Sequence, residues 1–339
     1  MSMKTKDISF IIPVYNRPDE VKELLESFTK LNGDKSFEIV LVEDGSTISS
    51  KPIANTYKSI LNISYFFKEN SGPGSSRNYG MRSARGDYFI ILDSDCILPP
   101  NYLVIVLERL NRDYIDCFGG PDSAHESFTS LQKAINFSMT SFITTGGIRG
   151  KKSSIDKFQP RSFNMGISKK AFEATNGFGQ IHPGEDPDLS IRLNKLGFQT
   201  VLISEAYVYH KRRISWSKFY KQVYKFGMTR PILNSWYPET RKITYWFPSI
   251  FILGLVCSII LFGLGFKYAL ILYGAYFALS FILSLISTKE LTVALLSIIA
   301  IIIQFFGYGY GFLKSTFKLS ISNIKAEDQF PELFFKDNK

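Results

Sequence analysis

The segment Tyr88-Phe89-Ile90-Ile91-Leu92-Asp93-Ser94-Asp95 places two carboxylates directly after a short run of apolar and aromatic residues. Such a run is typical of a strand buried in a parallel sheet. Ligands of parallel sheets bind outside the carboxyl ends of the strands, so Asp93 and Asp95 are expected to lie at the binding edge. Carboxylates spaced in this way suit a divalent cation that also contacts substrate phosphates. Aspartates also follow strands for turn or capping reasons, and the pair alone leaves both interpretations open.

The chain around this strand alternates apolar runs with helical patterns. The predicted strands are Ile8–Ile12, Phe37–Val42, Ile63–Phe67 and Tyr88–Leu92, and the predicted helices between them are Asp19–Leu31, Pro52–Ile60 and Ser75–Ala84. This order predicts βαβ units on a mainly parallel sheet, and therefore an α/β fold. The polar loops that follow the four strands should then converge on one edge of the sheet.

The next part of the chain has a weaker pattern. Residues from Gly119 to about Arg161 are rich in Ser, Thr and Gly, which predicts a variable insertion or a mobile loop. Regular structure resumes with strands at Ser162–Ser168, Phe198–Ile203 and Ala206–His210 and with helices at Lys169–Thr175 and Asp186–Leu196. The three cysteines are odd in number and lack ligand spacing, so neither a disulfide framework nor a zinc site is predicted.

Charged residues are almost absent for about seventy residues beyond Lys242. Three stretches contain none, namely Ile243–Phe266, Tyr268–Thr288 and Leu291–Leu313. Each meets the length of about 20 apolar residues that a helix needs to cross a bilayer. Buried helices of a large soluble core are the alternative, but three such stretches in succession with almost no polar face argue against it. The sequence therefore predicts about three transmembrane helices over residues 243–313, followed by a C-terminal tail over residues 314–339.

The formal charge of +10 is concentrated just before these apolar stretches. Residues 211–242 contain nine Lys or Arg and a single acid, Glu239, with aromatic residues between them. This composition predicts a basic interfacial segment that is attracted to anionic membrane lipid, and it argues against a nucleic-acid partner. A solvated basic face on an ordinary helix is the alternative. Because positive charge marks the cytoplasmic side and no secretory signal opens the chain, we expect a multi-pass protein of the inner (cytoplasmic) membrane whose catalytic domain is in the cytoplasm.

Five motifs carry a resemblance to a known family. The chain between about Ile8 and His210 resembles the inverting family 2 glycosyltransferases, which have a GT-A fold, through Ile11-Ile12-Pro13-Val14-Tyr15-Asn16, Glu43-Asp44-Gly45-Ser46, Gly72–Gly80, Asp93-Ser94-Asp95 and Gly184-Glu185-Asp186-Pro187-Asp188-Leu189-Ser190-Ile191-Arg192-Leu193. Each motif is weak alone, but their order makes the resemblance specific. Glu43 stands where the family usually has an aspartate. The resemblance implies a GT-A (Rossmann-like, mainly parallel sheet) catalytic domain over residues 1–210.

The resemblance also implies a role for each matching position. The residues that would bind the nucleotide-sugar are Pro13, Tyr15, Asp44, Arg77 and Asp93. Asp95 would bind Mn²⁺ or Mg²⁺, and His210 matches a place where several members supply a further metal ligand. Glu185 and Asp186 would lie beside the acceptor, with Asp186 as the general base.

Elementary chemistry supports these roles and leaves two of them open. A sugar hydroxyl needs a base to become a good nucleophile, and a leaving diphosphate needs a cation to neutralise its charge. Asp186 opens a predicted helix, whose dipole favours the ionised carboxylate. It could instead be only an N-terminal capping residue. His210 precedes a basic stretch and could contact lipid or backbone rather than a metal.

The sequence thus predicts a membrane enzyme that transfers a sugar from a nucleotide-diphosphate donor to a hydroxyl of a glycan or lipid-linked acceptor, in the synthesis of an envelope polysaccharide or glycolipid. One alternative is a synthase that loads sugar onto polyprenyl phosphate. A phosphate acceptor is already anionic and needs no base such as Asp186, which argues against that alternative. The other alternative is a non-catalytic membrane scaffold with a transferase-like domain, and the intact carboxylates argue against it.

Overall fold

The computed structural model describes residues 2–123, 128–145, 158–210, 215–322 and 324–335. The chain divides into two compact units. The first comprises residues 1–125, 152–211 and 334–339, and the second comprises residues 126–151 and 212–333. The chain therefore passes from one unit to the other several times, and not at a single boundary near residue 210. Parts of the loop expected between Gly119 and Arg161 lie outside the described residues, as do the basic residues Lys211, Arg212 and Arg213.

The first unit contains a seven-stranded sheet and a three-stranded sheet. The strands in chain order are β1 (Ile8–Val14), β2 (Glu38–Asp44), β3 (Asn62–Lys68), β4 (Tyr88–Leu92), β5 (Cys96–Ile97), β6 (Cys117–Gly119), β7 (Asp122–Ser123), β8 (Asn164–Ser168), β9 (Thr200–Leu202) and β10 (Val208–His210). The large sheet has the order β3-β2-β1-β4-β8-β6-β9, and only β8 is antiparallel to its neighbours among these described strands. The small sheet has the order β5-β10-β7. The predicted α/β fold with a mainly parallel sheet is confirmed.

The helices are distributed over both units. In chain order they are α1 (Pro18–Thr29), α2 (Lys51–Tyr57), α3 (Pro73–Ser83), α4 (Tyr102–Arg112), α5 (Ser130–Thr140), α6 (Phe142–Thr145), α7 (Lys169–Thr175), α8 (Glu185–Lys195), α9 (Trp216–Trp236), α10 (Phe247–Gly263), α11 (Tyr268–Thr288), α12 (Leu291–Ile321) and α13 (Ala326–Gln329). Helices α1 to α4, α7 and α8 belong to the first unit. The five helices predicted in this unit are present, whereas α4 and the reversed direction of β8 were not predicted.

Helices cover both faces of the large sheet. On one face, the ring of Phe10 in β1 packs against Phe28 in α1, with centroids 4.8 Å apart. On the other face, Phe89 in β4 packs against Phe172 in α7, with centroids 5.8 Å apart. Successive residues of a strand point to opposite faces, so a strand covered on both sides must be apolar almost throughout. Every residue of β4 is buried, which explains why its apolar run located this strand in the sequence.

The second unit contains the long apolar helices. Three helical stretches are long and apolar enough to cross a membrane by length and composition, namely Ile243–Gly263, Tyr268–Thr288 and Leu291–Ile321. This confirms the three predicted apolar helices, the last of which extends to Ile321. The basic helix α9 packs along α12, because Gly307 and Gly311 of α12 lie so close to Val223 and Tyr224 of α9 that added Cβ atoms would clash. Small residues permit this close approach of two helices.

Helix α5 corrects the prediction of a loop between Gly119 and Arg161. Within the second unit, Ile135 of α5 packs with Phe219 of α9 and Ala300 of α12 in one buried cluster. Lys133 Nζ also lies 2.6 Å from Glu290 Oε1. Tertiary packing of this kind supplies most of the stability of a short helix, and a local sequence pattern does not reveal it.

Candidate active site

The loops after β1, β2 and β4 are joined at one edge of the large sheet. Asn16, which follows β1, donates its backbone N–H to the Ser46 hydroxyl over 2.9 Å, and its side-chain oxygen accepts from the backbone of Thr47. Arg17 extends from the same loop to Asp95 after β4, with 2.5 Å between Nη1 and Oδ2. The predicted convergence of polar loops on this edge is therefore confirmed for these strands.

Asp44 fixes the turn that precedes α3. Its buried carboxylate accepts hydrogen bonds from the backbone N–H groups of Ser71 and Gly72, each over 3.0 Å, and pairs with Lys68 Nζ at 2.5 Å. Gly72 has φ of +90°, a region that favours glycine. This network brings the loop after β3 to the carboxyl end of β2. A role for Asp44 in binding the nucleotide stays a prediction.

Arg77 links the carboxylates from two separate parts of the chain. Its guanidinium lies 2.8 Å from Asp93 Oδ1 and 3.2 Å from Glu185 Oε1, and its side chain is buried. The Cζ atom of the guanidinium also lies over the ring of Phe178, 5.3 Å from the ring centroid. Arg77 therefore holds the start of α8 beside the loop after β4. Two sequence motifs that are more than ninety residues apart meet at this side chain.

Asp95 and His210 form the candidate metal centre. His210 Nε2 lies 2.9 Å from Asp95 Oδ1 and 3.9 Å from Asp93 Oδ2, and its ring stacks on Phe163 with centroids 5.1 Å apart. Burial alone would raise the pKa of Asp95, but His210 and Arg17 hold that pKa well below its usual range. Strands β5 and β10 pair antiparallel with His210 opposite Cys96, and this pairing brings the imidazole to Asp95.

The donor atoms at this centre fit a hard divalent cation. Ligand atoms of Asp95, Cys96 and His210 lie within 4.8 Å of one another. Burial and the nearby aspartates raise the pKa of the Cys96 thiol, which also contacts the Phe163 carbonyl oxygen at 3.4 Å, so Cys96 is a poor ligand. A carboxylate, an imidazole and substrate phosphates remain, and such a set suits Mn²⁺ or Mg²⁺. A cation bound by Asp95 would compete with Arg17 for the carboxylate.

Asp186 has one buried carboxylate oxygen without a hydrogen-bond partner in the part of the chain that the structure describes. Its Oδ2 accepts from the backbone N–H of Ser162 over 3.2 Å, whereas its buried Oδ1 has no hydrogen-bond partner within the described ranges. Burial and the adjacent charge of Glu185 raise the pKa of Asp186 above its ordinary value. The N-cap of α8 is Gly184, and the cap has no side-chain hydrogen bond. The alternative that Asp186 is only a capping residue therefore finds no support in the geometry.

Glu185 has a different environment from its neighbour. Its Oε1 lies 2.9 Å from His182 Nδ1 and also contacts Arg77, and its Oε2 accepts from the backbone N–H of Gly184. Burial alone would raise the pKa of Glu185, but His182 and Arg77 lower it to about 2. Both oxygens are engaged, so Glu185 is suited to fixing the position of α8. Asp186 is the better candidate for accepting a proton.

The remaining predicted residues lie beside the loop after β1. Pro13 is in β1, opposite Val42 of β2, and Tyr15 follows the strand with 53% of its surface exposed. Both stay predictions as nucleotide-binding residues. Three residues of the site were not predicted, namely Arg17, Lys68 and His182. Lys68 is the last residue of β3, and Arg17 lies in the loop after β1. Both therefore belong to the strand ends and loops that the sequence predicted to converge, and this was the signal available.

Comparisons with known proteins agree with this fold. The model of a protein family described as Glycosyl transferase family 2 matches residues 9–174. An uncharacterised glycosyltransferase of Rickettsia felis is 39% identical over 106 residues, which are 31% of this chain and 17% of that protein. The putative glycosyltransferase EpsH of Bacillus subtilis is 36% identical over 101 residues, which are 30% of this chain and 29% of that protein. The chain thus matches less than a third of the length of these two relatives.

One solved structure extends the likeness along the chain. The mannosyltransferase PcManGT from Pyrobaculum calidifontis, in complex with GDP-Man and Mn²⁺, is 12% identical and has a TM-score of 0.57. The match covers 92% of this chain and 87% of that one. At this level of identity, the likeness shows the fold alone. It agrees with the predicted GT-A fold.

Proposed function

We propose that this chain, whose residues 9–174 match the model described as Glycosyl transferase family 2, is an inverting, metal-dependent enzyme that transfers a sugar from a nucleotide-diphosphate donor to a hydroxyl acceptor. The observation that carries this proposal is the buried, unpartnered Oδ1 atom of Asp186 beside the fully engaged Glu185. A general base must reach a proton with a free oxygen, and a raised pKa makes it a stronger base.

The chain's own residues divide the work of the reaction. Asp186 takes the proton from the acceptor hydroxyl, whose oxygen bonds to the anomeric carbon of the sugar. The bond from that carbon to the diphosphate breaks on the opposite face, and the electron pair leaves with the nucleotide diphosphate. Asp95 and His210 would hold the metal ion, which supplies positive charge for the leaving group when it is bound. Arg77 keeps Asp93 and Glu185 in place around the reacting atoms.

The proposal includes a nucleotide-sugar donor and a divalent cation. The PcManGT complex contains GDP-Man and Mn²⁺, which supports a nucleotide-sugar donor and a divalent cation for a domain of this fold. The backbone N–H groups of Ser71 and Gly72 donate to Asp44 and so fix the turn before α3 beside the residues that we assign to the nucleotide. These residues are Pro13, Tyr15, Asp44, Arg77 and Asp93.

The helices of the second unit support a membrane location for the reaction. The apolar helices α10, α11 and α12 and the basic helix α9 support attachment to a membrane that carries anionic lipid. We place the catalytic domain on the cytoplasmic side of the inner membrane, where nucleotide-sugars are made. An envelope polysaccharide or glycolipid is the product that this setting favours.

A donor screen tests the proposal. The purified full-length protein is incubated with UDP-, GDP- and dTDP-sugars and Mn²⁺, and release of the nucleotide diphosphate is measured with and without EDTA. One donor should be hydrolysed or transferred only when the metal is available. Release that continues unchanged in EDTA would exclude the metal-dependent mechanism. Faster turnover with a polyprenyl phosphate than with any hydroxyl acceptor would favour the synthase alternative.

A further inference from the structure

The chain returns to the catalytic unit after the apolar helices. Phe334 forms an antiparallel bridge with Ile181, and Phe335 donates its backbone N–H to the Gln180 carbonyl oxygen over 3.1 Å. Both residues belong to the first unit, although residues 212–333 belong to the second. The bridge lies in the segment just before α8, which begins at Glu185. A distant part of the sequence thus contacts the segment that leads into the proposed base.

The side chain of Phe335 contacts both sides of the site. Its ring lies 5.8 Å, between centroids, from the imidazole of His182. The same ring lies against Gly72, so closely that a Cβ atom at this glycine would clash with it. Gly72 donates to Asp44, and His182 contacts Glu185. Phe335 is therefore packed between the turn on the donor side and the segment on the acceptor side.

These contacts form a continuous path to the reacting groups. His182 Nδ1 lies 2.9 Å from Glu185 Oε1, and Glu185 in turn contacts Arg77, which holds Asp93. His182 has 38% of its side chain exposed, so its own packing leaves the ring only partly fixed. An aromatic ring that packs against an imidazole restricts its rotamers and so fixes the groups bonded to it.

We propose that Phe335 is a positioning residue of the active site, whose ring holds the segment before α8 against the Gly72 turn and thereby keeps Glu185 on Arg77. This rests on the proposed transferase function. The residue acts through His182 and Glu185, and it need not touch the donor or the acceptor. The part of the chain after the apolar helices would then complete the catalytic site that the first 210 residues begin.

Phe335→Ala in the full-length protein tests this role. Turnover with the donor found in the screen should fall by about 10- to 100-fold, because small misplacements of catalytic groups have costs of this size. The KM for the donor should change by less than about threefold, since an effect on positioning lowers kcat rather than uniform binding. Phe335→Leu, which keeps an apolar side chain, should recover part of the rate. Tyr114→Ala, which removes an aromatic side chain with 60% exposure elsewhere in the same unit, is the matched control and should keep the wild-type rate.

A double-mutant cycle separates positioning from general destabilisation. His182→Ala and Phe335→Ala should be non-additive, so that the double variant is no more than about twofold slower than the slower single variant. Additive effects, or a Phe335→Ala rate within about threefold of wild type, would overturn the proposal. A wild-type protein that is folded but inactive with every donor would instead overturn the proposed function. A drop in melting temperature that accounts for the whole loss of rate would also count against positioning.

Discussion

Arg17 Nη1 lies 2.5 Å from Asp95 Oδ2, so the carboxylate assigned to the metal already has a cationic partner. The two residues follow different strands, β1 and β4, and the pair joins the loops at the binding edge. The Arg17 side chain is 42% exposed and that of Asp95 is 9% exposed. A guanidinium in this position can give up the carboxylate to a metal ion, because solvent can receive the displaced cation. Either Arg17 or a bound metal ion can therefore balance the negative charge of Asp95.

Replacing Arg17 with methionine should make metal binding tighter. Without the competing guanidinium, the Mn²⁺ concentration for half-maximal activity should fall by about 1.5- to 5-fold, the range expected for a partly exposed ion pair of about 0.2–1 kcal/mol. A Mn²⁺ titration of turnover at saturating donor measures the change. Arg85→Met, which removes a 69% exposed guanidinium that pairs with Glu38, is the control and should leave the Mn²⁺ requirement unchanged. If the Mn²⁺ concentration for half-maximal activity also falls in Arg85→Met, the change in Arg17→Met reflects a non-specific charge effect.

Removing the carboxylate of Asp95 should abolish the response to metal. Asp95→Asn keeps the size of the side chain, and turnover should fall to the level that the wild-type protein shows in EDTA. His210→Gln should raise the Mn²⁺ concentration required, because the second ligand is lost. Circular dichroism and thermal melting check that both variants are folded. Wild-type rates in Asp95→Asn at every Mn²⁺ concentration would reject Asp95 as a ligand.

Asp186→Asn tests the proposed base, because it removes the proton acceptor and keeps the size of the side chain. An amide cannot accept the proton at neutral pH, so kcat should fall by about 10²- to 10⁴-fold, the usual contribution of a general base. Donor binding, measured by calorimetry, should stay the same. Asp188→Asn is the matched control on the same helix, because Asp188 Oδ2 lies 2.7 Å from Arg192 Nη2. That variant should lower the melting temperature while leaving the rate per folded molecule near wild type. More than about a third of the wild-type rate in Asp186→Asn would favour a phosphate acceptor, which needs no base.

The neighbouring acids should affect stability in opposite ways as pH changes. The folded-state pKa of Glu185 is lowered from 4.5 to about 2, so its ionised form stabilises the fold above about pH 4.5, and this contribution is lost as pH falls towards 2. The pKa of Asp186 is raised, so its charge destabilises the fold at neutral pH, and the cost disappears below its ordinary pKa of 3.8. Thermal melts between pH 7 and pH 2 should show, at neutral pH, Glu185→Gln less stable than wild type and Asp186→Asn at least as stable. Both differences should shrink on acidification, and a difference that does not depend on pH would contradict the assignment.

Within the large sheet, sequence predicted best a strand whose burial is complete. The strand Tyr88–Leu92 was predicted with the bounds that the structure shows, because both of its faces are covered. The helix Ser130–Thr140 was missed, because its partners Phe219 and Ala300 are far along the chain. For the site, the sequence supplied the carboxylates together with Arg77 and His210, but it did not supply Arg17, Lys68 or His182. The contact between His182 and Phe335 joins residues far apart in sequence, and no local pattern encodes such a contact.

The bridge between Ile181 and Phe334 also restricts how the chain crosses a membrane. Ile181 and Phe334 belong to one compact unit although the apolar helices lie between them in the sequence, so we expect an even number of complete membrane crossings between these two residues. At most two of the three long apolar helices are then expected to cross completely. Glu290 at the start of α12 pairs with Lys133, and 44% of the most apolar part of α12 is buried, against 17% and 11% for the two earlier stretches. We therefore expect α10 and α11 to be the pair of helices that crosses.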